Sequence, residues 1–267
     1  MIMMKLKIIE KDGTKMKFSL EDASPAFANT LRRIMISELP TLAVETVDIE
    51  ENSSGMFDEM LAHRLGLVPL TIPKKFSFRE ECKCGGKGCS MCQVTLVAEK
   101  QGPCIVYARD MKSTNDDVRP VDGDIPIAEL LDGQRLKFEA LAQLGCGKNH
   151  MKWQAATAGY RCMANVKIYP DRDKDVEGYT IDICPKNVFD KKEGGVKVAR
   201  AEDCNLCMRC VEVAKDNAAV VTSDENSFIF RVESVSGLSP DEILMKAVDE
   251  IERRADDFAS SFRKAVK

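Results

Sequence analysis

The sequence predicts an α+β protein. Three observations carry that reading. Short segments of alternating apolar and polar residues recur through most of the chain. Two segments, Ser24 to Leu39 and Ser239 to Phe262, instead hold a helical period. Between them lie two tight cysteine groups, each with a spacing that suits metal ligation.

In chain order, Met4, Leu6 and Ile8 alternate with lysines, Asp12-Gly13 follows, and Met16, Phe18 and Leu20 alternate again. This reads as a β-hairpin with one buried face. Ser24-Pro25 opens a helix, serine as the cap and proline in the first turn, and Pro40 stops it. Phe27, Leu31, Ile34 and Met35 share one face of that helix. Thr41 to Glu50 resumes strand-like alternation. Leu61 to Leu70 reads as a short helix running into an extended apolar segment, and its His63 as a structural hydrogen-bonding histidine. Gln93 to Glu99 and Ile105 to Arg109 read as strands around Gly102-Pro103. Leu144 to Trp153 carries the only tryptophan, and Cys162 to Tyr169 is a further strand. Near the end, Phe228 to Glu233 alternates as a strand. Ser239-Pro240-Asp241-Glu242 is a capping box, and Leu244, Val248, Ile251, Ala255, Phe258 and Phe262 form a long helical stripe. A stripe of that length must be covered, by this chain or by another.

The chain has 11 cysteines. An odd count in tight clusters, with no secretory leader expected, points to a reducing interior and metal binding, not to a disulfide framework. Cys82, Cys84, Cys89 and Cys92, separated by glycines, can fold back on a tetrahedral ion, and structural zinc is the favoured occupant. Four protein ligands would leave no place for a catalytic water. Cys104, Cys146 and Cys162 lie outside both groups and read as small buried hydrophobes.

The second group is Cys184-Pro185 followed by Cys204, Cys207 and Cys210. A two-cluster bacterial ferredoxin repeats C-x2-C-x2-C-x3-C-P, and the fourth cysteine of each repeat ligates the other cluster. Counting back from Cys184 puts Thr180, Glu177 and Lys174 at the first three ligand positions. Counting forward from Cys210 puts Ala214-Lys215 at the second Cys-Pro. The four missing ligands form the complete set of one cluster, and the four present form the set of the other. One [4Fe–4S] site is therefore expected, with tetrahedral zinc as the competing occupant. Val188-Phe189 and Val196 to Val198, around Gly194-Gly195, supply a hairpin between the motif halves, and Ala218 to Val221 a returning strand.

The formal net charge of −4 and the lack of a basic recognition helix argue against direct DNA reading. No apolar run approaches membrane-spanning length. There is no nucleophile–base pair, P-loop, HExxH or dinucleotide fingerprint, so no catalytic residues are expected.

Ala26 to Met35, Leu61 to Leu70, Leu144 to Trp153 and Phe228 to Ser234, with the two cysteine groups, resemble the family of archaeal RNA polymerase D subunits. That family includes the bacterial alpha subunit's N-terminal domain and the eukaryotic third-largest subunit. The resemblance implies a dimerisation domain from residues 1–47 and 223–267. It also implies a β-rich insert domain over 48–168 with the zinc-type loop, and a ferredoxin-like βαββαβ-type module over 169–222. It implies a cytoplasmic, non-catalytic assembly subunit that pairs with subunit L through the first helix and its flanking strands, with Phe27, Leu31, Ile34 and Met35 at that interface. On this pair the large catalytic subunits and the small subunits N and P assemble, and DNA is met only through the complex. The iron–sulfur site would stabilise or regulate assembly. Two other readings are a ferredoxin-type electron carrier, which the missing ligand set opposes, and a zinc-dependent regulator that binds DNA.

Overall fold

The computed structural model describes residues 4–172, 176–192 and 195–266. Lys174 of the motif count and Gly194 of the hairpin turn lie outside them, as do Met1 to Met3. The elements in order are β1 (Lys5–Asp12), β2 (Lys15–Glu21), α1 (Pro25–Ser37), β3 (Pro40–Asn52), α2 (Asp58–Gly66), β4 (Gln93–Gln101), β5 (Cys104–Tyr107), β6 (Lys112–Ser113), β7 (Pro126–Leu130), β8 (Arg135–Cys146) and β9 (Ala156–Ile168). Then come α3 (Val176–Ile183), β10 (Phe189–Lys192), β11 (Gly195–Val198), α4 (Arg209–Val213), β12 (Ala219–Ser234) and α5 (Pro240–Ala265). The chain divides into two compact units. One comprises the segments through Asp12, Met16–Arg32 and Gly159–Arg231; the other comprises Gly13–Lys15, Arg33–Ala158 and the chain from Val232 on.

The first unit holds a four-stranded sheet of order β1-β2-β12-β9. Its aromatic residues pack tightly: Phe18 stacks on Phe230 with ring centroids 4.9 Å apart, and Tyr160 meets Phe228 edge-on at 5.3 Å. Between β9 and β12 the element order is β9-α3-β10-β11-α4-β12. β10 and β11 form an antiparallel hairpin pairing Phe189 with Val198. A small apolar core of Ala164, Val188, Phe189, Cys210, Ala218, Ala219 and Val221 lies beneath this insert. The returning strand and the strand Phe228 to Glu233, read separately in the sequence, are one continuous strand, β12. Its polar stretch Ser223 to Asn226 is exposed yet still extended, so polarity alone did not mark a break.

The hairpin's buried face is only half as expected. Met16, Phe18 and Leu20 of β2 are buried, but Met4, Leu6 and Ile8 are each about half exposed. β1 is the sheet's edge, so nothing in its own sheet covers the apolar side chains on its outer side.

The second unit is built on an antiparallel sheet of order β3-β8-β4-β6, with β5-β7 as a separate pair. β8 is its central long strand, pairing Leu42 with Leu144 on one side and Leu96 with Ala140 on the other. The core runs through Leu61 and Leu65 of α2, Leu96, Val106, Ile127 and Phe138. His63 is exposed: α2 buries Leu61 and Leu65, and His63 lies on the opposite side, in a shallow cleft with His150 and Lys152.

The Leu144–Trp153 segment proves to be a packing device. Trp153 lies against Gly145, where a Cβ would stand 2.3 Å from the indole ring. Its Nε1 donates to the Gln143 carbonyl at 3.1 Å, and Thr41 Oγ1 donates to the Trp153 carbonyl at 2.8 Å. The same segment receives the end of α1: the Lys148 N–H donates to the Ser37 carbonyl at 2.8 Å, and Cys146 Sγ to the Glu38 carbonyl at 3.3 Å. Burial and the neighbouring Glu38 and Glu250 carboxylates push the Cys146 thiol pKa up, so it stays a neutral donor.

α5 starts with the expected reciprocal cap. Ser239 Oγ accepts from the Glu242 N–H at 3.3 Å, and Glu242 Oε2 accepts from the Ser239 N–H at 2.8 Å. Its buried face differs from the predicted stripe. Pro240, Ile243 and Ala247 are buried, while Val248, Phe258 and Phe262 are exposed. Only the first two turns have core to rest on, and the buried face lies to one side of the Leu244–Phe262 stripe. None of the helices is long and apolar enough to cross a membrane among the described residues.

Candidate metal centres

The loop before β4 brings Cys82, Cys84, Cys89 and Cys92 together, with all four sulfurs within 4.8 Å of one another. Cys82 and Cys89 sulfurs are 3.6 Å apart, Cys84 and Cys92 3.7 Å, and Cys89 and Cys92 3.8 Å. A tetrahedron of sulfurs around zinc, with Zn–S of about 2.3 Å, has edges of about 3.8 Å. The loop reaches this arrangement through Gly85, Gly86 and Gly88, which all have φ between 66° and 90°, a region closed to most side chains. Arg79 Nε ties the loop back by donating to the Gly86 carbonyl at 2.9 Å.

The four thiols are electrostatically unequal. Burial pushes Cys92 up to about 12, while for Cys84 burial is outweighed by the Gly88 N–H and the three neighbouring cysteines, which bring it down to about 6. A divalent cation is what would let all four ionise together. The donor set and its spacing therefore fit zinc.

The second group is arranged differently. Cys184 follows α3, Cys204 follows a 3-10 turn at Ala201–Asp203, Cys207 lies in the loop and Cys210 in α4. All four line one pocket, among Val166, Val188, Phe189 and Val221. The loop winds around it with Leu206 and Met208 at φ 58° and 62°, left-handed conformations that cost about 1 kcal/mol or more each and need an external reason to persist. The Val188 N–H points at Cys184 Sγ at 3.5 Å. Burial, with the charges of Cys204, Cys184 and Cys207, pushes the Cys210 thiol up. Among the described residues, no three of these sulfurs share the close spacing of the first loop. A single zinc needs that spacing, whereas a cubane cluster binds each cysteine at a different iron and holds the sulfurs farther apart. An apolar pocket with four converging thiols and an N–H aimed at sulfur fits an iron–sulfur cluster. Thr180, at one of the counted non-ligand positions, is buried on α3.

The helix residues expected at an interface lie elsewhere in the energetics. Leu31, Ile34 and Met35 are buried within the chain and Phe27 is half-buried. They contribute to the packing of α1 within this chain. The Ser24 cap is present, its Oγ accepting from the Phe27 N–H at 3.2 Å. Sequence reasoning missed the cations flanking the second cysteine group, since Lys17 and Asp203 meet across 186 positions and no local pattern signals that pairing.

Residues 47–164 match the family model described as the RNA polymerase Rpb3/RpoA insert domain. The chain is 38% identical over 263 residues to DNA-directed RNA polymerase subunit Rpo3 of Methanosphaera stadtmanae, covering 95% of this chain and 97% of that one. It is 38% identical to Rpo3 of Methanosarcina acetivorans over 259 residues, covering 95% and 96%. It is also 38% identical to Rpo3 of Archaeoglobus fulgidus over 259 residues, covering 96% and 97%.

Proposed function

The chain belongs to the family of the archaeal DNA-directed RNA polymerase subunit Rpo3, and from that membership we infer that it is a non-catalytic assembly subunit of the polymerase. The observation that carries this reading is the near full-length likeness to Rpo3 chains, together with a large apolar surface that this chain leaves uncovered. On α5, Phe258 and Phe262 are 73% and 60% exposed and stack 6.3 Å apart, and Met245, Val248 and Val266 are exposed on the same helix or just after it. Burying one phenylalanine is worth about 1.5–3 kcal/mol, so leaving this face in water is costly unless another chain covers it. We assign that cover to subunit L, and the platform so formed to the large catalytic subunits and the small subunits N and P.

We further propose one [4Fe–4S] cluster on Cys184, Cys204, Cys207 and Cys210, and one zinc on Cys82, Cys84, Cys89 and Cys92. The element order β9-α3-β10-β11-α4-β12 agrees with a ferredoxin-like module, and its four thiols line one pocket among Val166, Val188 and Phe189, which suits a cluster. A bound cluster would tie the end of α3 to the Cys204–Cys210 loop and so hold the module closed. An electron-carrier role lacks support, because the module has one ligand set and no second cluster to relay to.

The test is anaerobic co-expression with subunit L. The parent chain is expected to co-purify as a one-to-one pair, and the double variant Phe258→Asp/Phe262→Asp is expected to purify alone, still folded by circular dichroism. Unchanged pairing of that variant would overturn the assignment of the α5 face.

A further inference from the structure

Beside the second cysteine group, the sheet of the first unit presents three cations on one face. β2 turns Met16, Phe18 and Leu20 to one side, which leaves Lys17 on the other. Lys17 Nζ reaches Asp203 Oδ1 at 2.5 Å, and its side chain is only 11% exposed. From β9, Arg161 donates through one terminal nitrogen to the Glu202 carbonyl and through the other, at 3.5 Å, to the Asp203 carbonyl. Arg231 of β12 is close enough to act on both Arg161 and Asp203. Two strands, β2 and β9, thus grip one short turn, Ala201–Asp203, and the next residue is Cys204.

Three like charges on one sheet face repel one another, and burial together with the Arg231 charge lowers the Arg161 pKa. Such an arrangement persists only where negative charge faces it. Asp203 supplies one unit, held as a carboxylate by the Lys17 hydrogen bond. The remaining compensation comes from the Glu202 and Asp203 carbonyls that the Arg161 guanidinium meets.

We propose that Lys17 and Arg161 form a charge clamp that fixes the Ala201–Cys204 turn to the sheet, so that metal occupancy of the cysteine pocket and the rigidity of β2 and β9 are coupled. The clamp residues are positioning residues: they act through Asp203 and the turn, and they touch no ligand sulfur. The coupling is reciprocal. Whatever factor a filled pocket adds to turn docking, a docked turn adds to retention of the metal. Filling the pocket thereby stiffens the sheet that carries the exposed edge β1, which gives an assembly subunit a physical route from cluster loading to its framework.

This inference rests on the iron–sulfur reading, and one experiment separates the two. The full chain, paired with its partner and loaded anaerobically, is challenged with a ferrous chelator, and loss of cluster absorbance is timed for the parent, Lys17→Met, Lys17→Arg and Asp203→Asn. Lys17→Met and Asp203→Asn are expected to lose iron about tenfold faster, a typical coupling factor, with Lys17→Arg close to the parent. Equal rates in the parent and Lys17→Met overturn the clamp while leaving the cluster reading intact. A parent that takes up no iron overturns both. Hydrogen exchange of the parent alone is the second measurement and needs no variant to fold. β2 and β9 amides are expected to exchange faster once iron is removed, whereas β3 and β8 amides in the other unit do not change. Exchange in β2 and β9 that ignores iron removal overturns the coupling.

Discussion

Gly145→Ala tests how the second unit holds the end of α1. The added methyl would lie 2.3, 2.4 and 2.7 Å from three ring carbons of Trp153, where carbon–carbon contacts settle near 3.5–4.0 Å. The indole must therefore move by more than 1 Å. Overpacking of this kind costs about 1–3 kcal/mol. The Nε1 hydrogen bond to Gln143 does not survive that shift, and its loss adds about 1 kcal/mol. We expect a total near 3 kcal/mol, which for a chain of this size lowers the melting temperature by roughly 6–12 °C. The assay is thermal and urea unfolding followed by tryptophan fluorescence, which reports this site alone because Trp153 is the only tryptophan. The native emission should shift red as the ring gains water. Gly159→Ala serves as the control, since a Cβ there meets nothing within 4 Å, and it should change stability by less than about 1 kcal/mol. If Gly145→Ala unfolds like the parent with unchanged emission, the packing account of this segment is wrong.

Three further outcomes are expected. Ser239→Ala removes the cap of α5 and should cost about 1 kcal/mol in urea unfolding. The Ser239 N–H and hydroxyl hold the Glu242 carboxylate pKa below its usual value, so its contribution is fully present above the unfolded pKa of about 4.3 and is lost as pH falls through the folded value. The stability gap between the parent and Glu242→Gln should accordingly be constant from pH 6 to 8 and close below about pH 4. Cys92→Ser removes the most buried zinc ligand; bound zinc should fall from one to none, and limited proteolysis should then cut within residues 82–92.

What the sequence made legible was local. The two cysteine groups could be read because most of their members lie within a few residues, and the structure brings each group together. The α5 start could be read because Ser239 and Glu242 satisfy each other across a single turn. What stayed hidden depends on distant partners. Met4, Leu6 and Ile8 look like core residues by alternation, and only the position of β1 at the sheet edge exposes them. The α5 stripe is apolar along its whole length, yet burial ends with the core that its first turns meet. Gly145 reads as a loop glycine until Trp153 is seen against it.

The central claim is an assembly subunit stapled by two unlike metals, and it meets its most direct test in metal analysis of the anaerobically purified complex. About four iron, four sulfide and one zinc per chain are expected, with the iron lost in Cys207→Ala and the zinc retained. Two zinc ions and no iron would contradict the account.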